Sequence, residues 1–244
     1  LPIYGDLGTS WARGLPVAKM VGDAFMVTLE VGLITLLFAT LIGVPLGILA
    51  GIYEGRPIDT VVQGFNVIGL SAPVFWVGLM VLVAVSSALS WSPPLRFVPP
   101  TRSLADNLQM LLLPVLSLGL LQVAAYSQFV RQNVVSALHQ DYVRTAIAKG
   151  MPTRTVFFKH ILRNVLIPIV TFMGLILIQI LGGVVVIESL FALPGLGRLL
   201  LSAIETRDYP VVQGALLIVV VVAMTVNLVV DLAYKLIDPR IRFS

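Results

Sequence analysis

Apolar and polar positions separate along this chain into long blocks. Residues 31–53, 60–95, 107–130, 164–187 and 209–230 contain no Asp, Glu, Lys or Arg. Each block has at least 22 residues, and a helix needs roughly 20 apolar residues to cross a hydrocarbon core about 30 Å thick. The pattern predicts five transmembrane helices, near residues 27–49, 61–89, 111–129, 166–187 and 211–234. A membrane β-barrel would show alternating segments of about 10 residues instead, and these are absent. The chain reads as all-α, a polytopic helical membrane protein.

Punctuation within the blocks refines the elements. Gly43-Val-Pro45-Leu-Gly47 interrupts the first span and Gly69-Leu-Ser-Ala-Pro73 should kink the second; both are tolerated in membrane helices where neighbours satisfy the freed backbone groups. The 60–95 run exceeds one crossing, so Trp91 with Pro93 and Pro94 suits an outer interfacial belt. The third span should continue as helix beyond Arg131, and Gly174, Gly182 and Gly183 permit close contacts of the fourth. Between the last two spans, the Pro-Gly-x-Gly turn at Pro194 followed by Arg198 and three leucines predicts a re-entrant or surface helix at the outer face. Residues 1–26 read as an outer segment and 27–244 as the transmembrane domain.

Composition supports this division. The chain is 58% hydrophobic and 11% charged, with mean hydropathy +0.99, whereas soluble domains average about 25% charged residues. No cysteine is present, which excludes disulfides, thiol nucleophiles and cysteine metal sites; no catalytic residue or metal site is read from the rest. The formal charge of +4 is not a nucleic-acid footprint, because residues 131–163 alone hold six Lys/Arg against Asp141. The positive-inside rule makes that loop cytoplasmic. Five spans then place the C-terminus inside and residues 1–26 outside, with ten Lys/Arg inside and six outside. An exported beginning without a signal-like segment of its own leads to the expectation of a further helix upstream of Leu1, six in the native protein, with signal-peptide processing as the alternative.

Within the basic loop, Tyr142-Val-Arg-Thr-Ala-Ile-Ala-Lys-Gly150 is a short helix pattern stopped by glycine. Asp141 is expected to cap its N-terminus, Gly150 to take the left-handed position that ends it, and Thr153 to cap a second helix leading into the fourth span. Val143, Ala146, Ile147 and Gly150 follow i, i+3, i+4, i+7 spacing and form a small apolar stripe, while Arg144, Thr145 and Lys149 stay polar. Eight residues are too few for an isolated helix. It rests either in a partner's groove or on lipid headgroups.

Arg144-Thr-Ala146-x-x-x-Gly150 resembles the EAA motif, Glu-Ala-Ala-x-x-x-Gly, of bacterial ABC importer permeases. Arg144 and Thr145 replace Glu-Ala, and the family's later Leu-Pro falls on Leu162-Arg163, with a proline only at Pro168. Those departures are typical of the dipeptide, oligopeptide and nickel branch, which the chain resembles over almost its full length. Gly5-Asp-Leu-Gly-Thr-Ser10, His160-Ile-Leu-Arg-Asn164, Pro194-Gly-Leu-Gly-Arg-Leu-Leu200, Arg207-Asp-Tyr-Pro-Val-Val-Gln213 and Asp238-Pro-Arg-Ile-Arg242 carry the likeness. The resemblance implies a type I ABC importer permease fold in the bacterial inner membrane, with a cytoplasmic coupling helix. It implies four partners besides the lipid bilayer: a second homologous permease, two ATP-binding subunits and an external substrate-binding protein. Peptides would be the cargo, with nickel or another small solute as the alternative. ATP and Mg would be bound by the partners, since this chain has no Gly-x-x-x-x-Gly-Lys-Ser/Thr loop and is expected to hold no cofactor and to be no enzyme. Tyr142, Arg144, Thr145, Ala146, Lys149 and Gly150 would form the ATPase-coupling set, unless Ala146 and Gly150 merely let the helix pack on its own neighbours.

Polar groups within the spans raise a rival class. Gln179, Asn227 and Asp231 could line a pathway or join helices; Asp231 lies near an end where it could simply reach water, and Glu30 sits near the outer end of its span. An intramembrane acid can serve a proton relay, so an ion-coupled secondary transporter competes. Its usual marks, paired buried carboxylates and broken-helix repeats, are not evident.

Overall fold

The computed structural model describes residues 7–91, 93–94 and 97–237. Among the described residues the chain is all helical, apart from a single antiparallel bridge between Thr9 and Pro16. The order is α1 (Val17–Ile52), α2 (Pro57–Ser71), α3 (Val74–Leu89), α4 (Leu104–Leu138), α5 (Asp141–Ala148), α6 (Thr153–Val156), a π-helical turn (Phe157–Ile161), α7 (Leu162–Leu190), α8 (Leu196–Glu205) and α9 (Tyr209–Ile237). Among the described residues three helices are long and apolar enough to cross a membrane: α1, α4 and α9 over Tyr209–Val230. The bent pair α2 with α3, and α7 with its bend between Ile180 and Gly182, bring the number to five when each is one span. The five apolar blocks of the sequence are these elements. Helix α1 begins ten residues earlier than the apolar run suggests, because Val17, Val21 and Ala24 have a core to enter.

The chain packs into two compact units. The first comprises Leu1–Thr35, Pro73–Leu118 and Leu177–Val226; the second comprises Leu36–Ala72, Gly119–Ile176 and Asn227–Ser244. In the first, Val17, Val21 and Ala24 of α1 pack with Leu196 and Ala203 of α8 and with Val211 and Ala215 of α9. Asp208, at the entry to α9, ties the loop before α1 to this core. Its carboxylate accepts hydrogen bonds from Ser10 Oγ (2.5 Å) and from the Trp11 and Ala12 amides (3.1 and 3.3 Å). Trp11 then stands edge-on to Tyr209, ring centroids 5.9 Å apart.

Burial alone would raise the Asp208 carboxyl, but hydrogen bonds from Ser10 and the Trp11, Ala12 and Val211 amides hold it below the ordinary aspartate range. An acid with a depressed folded pKa stabilises above its unfolded pKa, and that contribution goes as pH falls through the folded value. The loop is expected to stay docked at neutral pH and to loosen below about pH 4, near the unfolded aspartate value. Asp208→Asn should leave it loosened throughout. Fluorescence of Trp11, with the other two tryptophans replaced by Phe, reads the transition; an acid transition that survives in Asp208→Asn would assign it to another group.

The second unit shows why glycine recurs in α1. Gly43, Gly47 and Gly51 lie on one face, and α4 runs alongside so closely that a Cβ on Gly43 would meet Tyr126 Cβ at 2.6 Å. A Cβ on Gly47 would meet the Ser127 carbonyl at 2.6 Å, and one on Gly51 would meet Val134 at 2.7 Å. Both partner numbers rise together, so the helices are parallel. Small residues every fourth position are how membrane helices approach without a hydrophobic driving force. Phe129 stacks on Phe172 at 4.0 Å and joins α4 to α7. Gly47→Leu should destabilise by roughly 1–3 kcal/mol, the usual overpacking penalty. Gly22→Leu, with nothing within 4 Å of its Cβ, is the control, and equal melting temperatures in detergent would contradict the packing.

Candidate functional site: the exposed helix α5

Helix α5 hangs from a braced base in the second unit. Arg131, near the end of α4, grips Asp59 at the start of α2 through two bonds, Nε to Oδ1 (2.5 Å) and Nη2 to Oδ2 (2.8 Å). Asp59 is only 2% exposed and also accepts the Gly55 amide (2.9 Å) and Gln63 Nε2 (3.1 Å). Bidentate geometry with all oxygen sites occupied is the arrangement in which a sequestered pair holds. Arg131, counted by sequence with the basic loop, is therefore neutralised by the chain itself. The side chains of Arg154, Lys159 and Arg163 lie outside the described residues.

From that base the chain turns at His139 and Gln140 into α5. The expected N-cap moves by one residue: Gln140 is extended (φ −71°, ψ 146°) and precedes the helix, while Asp141 is already helical. No side chain caps this end. Asp141 instead places its charge in the first turn, where the helix dipole favours an anion. The second helix likewise begins at Thr153 itself.

The C-terminal end follows the expectation closely. Gly150 has φ +78°, its amide bonds the Ile147 carbonyl (2.9 Å), and the Met151 amide bonds the Ala146 carbonyl (3.2 Å). Those two bonds are the paired closure that ends a helix with a left-handed residue.

Packing sorts the remaining residues of α5. Val143 and Ala146 are buried against the chain itself, 1% and 9% exposed. Ile147, on the same stripe, is 54% exposed at the mouth of an apolar cavity of about 600 Å³, which it shares with Pro45, Leu49, Val143, Phe157 and Ile161. Tyr142 is 39% exposed, and its hydroxyl accepts from Asn164 Nδ2 (3.1 Å) at the start of α7. Arg144, Thr145, Lys149 and Gly150 are exposed. Neither Arg144 nor Lys149 has an ion-pair partner among the described residues. The result is a short helix anchored by one face and displaying two free cations, with open space around Gly150.

The polar residues of the spans are not gathered with it. Gln179 of α7 and Asn227 of α9 are exposed, in the first and second unit respectively. Asp231 belongs to α9, and its side chain lies outside the described residues.

Residues 43–243 match the family described as binding-protein-dependent transport system inner membrane component. The chain belongs to that family. It is 35% identical over 263 residues to the dipeptide transport system permease protein DppB of Escherichia coli (strain K12), covering 98% of this chain and 78% of that protein. It is 39% identical over 242 residues to the glutathione transport system permease protein GsiC of the same strain, covering 99% and 76%. Its fold resembles the crystal structure of an amino acid ABC transporter with histidines (TM-score 0.70, 15% identity, 89% of this chain and 94% of that one). It also resembles the inward-facing methionine ABC transporter MetNI (TM-score 0.66, 17% identity, 90% and 97%).

One strongly held feature of this permease escaped sequence reasoning. Glu188 of α7 is fully buried; Thr28 Oγ donates to it (2.5 Å) and the Arg198 amide donates to it (3.0 Å), while Thr28 Oγ accepts from the Leu196 amide (2.8 Å). Its carboxylate presses on Gly195, where any Cβ would overlap it. The signal available was an acid at the end of an apolar run, six residues before Pro-Gly-x-Gly.

Proposed function

We propose that the chain is a membrane-embedded permease subunit of an ATP-driven ABC importer that moves peptides delivered by an external substrate-binding protein. The observation that supports this best is α5: a Gly150-terminated helix, braced by its own chain through Val143 and Ala146, that turns Arg144 and Lys149 outward. Such an element suits docking into a partner more than burial in its own fold. Tyr142, Arg144, Thr145, Lys149 and Gly150 form the contact surface toward an ATP-binding subunit, and Ala146 seats the helix. That side is cytoplasmic, so the C-terminus is cytoplasmic and residues 1–26 lie outside.

A second homologous permease and two ATP-binding subunits complete the transporter, with ATP and Mg on the latter. Closure of the ATP-binding pair draws the two coupling helices together and reorients the spans. The relatives named for dipeptide and glutathione transport favour peptide cargo over nickel. Gln179, Asn227 and Asp231 remain candidates for the pathway.

Reconstitution of the chain with its partner subunits tests the reading. Uptake of a dipeptide or of glutathione should require ATP and the binding protein, and the chain alone should hydrolyse no ATP. Uptake driven by a proton gradient through the chain alone would instead establish a secondary transporter.

A further inference from the structure

Helices α2 and α4 of the second unit meet through polar faces. Asp59, Gln63 and Asn66 recur at i, i+4, i+7 on α2; Ser127 and Gln128 on one turn of α4 are followed by Arg131 and Gln132 on the next. The pairing is antiparallel. Asp59 binds Arg131 at one end, and at the other a Cβ on Gly69 would stand 2.8 Å from Ala124 Cβ. Between these clamps Asn66 Nδ2 donates to Ser127 Oγ (3.3 Å). A notch of about 60 Å³ opens there, lined by Gln63, Asn66, Val67, Gln128, Arg131 and Gln132.

Three properties of the notch point to a ligand. Asn66 is 2% exposed, yet its Oδ1 has no hydrogen-bond partner. Gln128 and Gln132 are half-buried and exposed, and neither makes a side-chain hydrogen bond among the described residues. Glue between two helices would not leave the Asn66 carbonyl and two whole glutamine amides unused, and polar groups in a membrane segment are retained where they face water, a substrate or one another.

The charge is also internally cancelled, because Asp59 occupies the Arg131 guanidinium. A neutral surface rich in primary amides offers donors and acceptors together, which matches a peptide bond better than an ion. The volume admits one amide group or a few waters and leaves no room for a large side chain.

We propose that this notch is a peptide-backbone station on the translocation pathway, where Asn66, Gln128 and Gln132 take up main-chain amide groups of the cargo. The proposal rests on the peptide-importer reading above. Binding main chain rather than side chain gives a site that tolerates many peptide sequences.

The absence of cysteine in this chain makes single-cysteine probes direct. In the complete transporter in proteoliposomes, with binding protein, Gln128→Cys should react with a membrane-impermeant charged methanethiosulfonate. The control is Leu41→Cys, an exposed leucine of α1, which should react at least about tenfold more slowly if it faces lipid, where the thiolate hardly forms. Dialanine or glutathione, whichever the wild-type complex takes up, should slow modification at Gln128→Cys severalfold. Gln128→Leu should lower uptake by up to about tenfold, the scale of one lost hydrogen bond, and Gln128→Asn should restore part of it.

If the wild-type complex takes up neither probe, the peptide reading itself fails. If it takes one up but Gln128→Cys is unreactive or unprotected, or Gln128→Leu transports normally, the notch is no substrate station. Loss of the second permease from the Gln128→Leu complex would make it a subunit contact, which also overturns the proposal.

Discussion

Glu188→Ala is expected to release α8 and abolish uptake. The carboxylate is fully buried and receives Thr28 Oγ and the Arg198 amide, near the first turn of α8. Removing it strands these donors in a site shaped around them and opens a cavity beside Gly195. A stranded donor costs about 1–3 kcal/mol, so the combined loss is roughly 3–5 kcal/mol, comparable to breaking a buried pair. Glu188→Gln keeps the volume and one acceptor oxygen and should fall between. Gly195→Ala attacks the same contact from the other side, since its Cβ would occupy the carboxylate's place. Limited trypsin digestion at Arg198 and Arg207, with melting in detergent, gives the measurement. Wild-type digestion rates and melting temperature in Glu188→Ala and Gly195→Ala would show that the carboxylate does not hold α8.

Gly150→Trp is expected to leave the protein inserted and folded but to lose the ATP-binding subunits, with uptake reduced at least about tenfold, the equivalent of 1.4 kcal/mol in the contact. The backbone at φ +78° penalises a residue with a Cβ by roughly 1–2 kcal/mol. That strain loosens the closure formed by the Gly150 and Met151 amides. Nothing lies within 4 Å of a Cβ there, so the indole meets no atom of its own chain and projects into the space a docking partner needs. Gly150→Ala carries the strain with little bulk, and Gly150→Asn adopts the left-handed conformation more readily. Retention of the ATP-binding subunits in the order Asn, Ala, Trp would separate strain from obstruction. Arg144→Glu should weaken the same contact if its partner is acidic. Coupled uptake at the wild-type rate in Gly150→Trp would remove α5 from the docking role.

Helix α5 shows how far local reading extends. Its length, its stop at Gly150 and its polar face depend on residues within one or two turns, and these are legible in the order of side chains. The cap was misplaced by one residue because Asp141 and Gln140 both permit the start, and the choice depends on how the chain leaves α4. Ala146 and Ile147 share the apolar stripe, but only Ala146 is buried; the pattern defines a face without saying how much of it the neighbours cover.

The same division runs through the whole protein. Sequence by itself determined the membrane class, the five apolar segments, the short helix stopped at Gly150 and, through its motifs, the permease family, because hydrophobic runs and turn chemistry act over a few residues. Tertiary structure alone decided which charges are free. Arg131 looks like part of a basic loop until Asp59, 72 residues away, neutralises it, and nothing in the apolar run before Glu188 shows that Thr28 and the Arg198 amide enclose it. It also showed that Gly43, Gly47 and Gly51 are a contact surface for α4 and that polar faces of α2 and α4 meet. Pairing between distant segments depends on which surfaces the packed helices bring within hydrogen-bond or van der Waals reach, and that distance is not written in the spacing of residues along the chain.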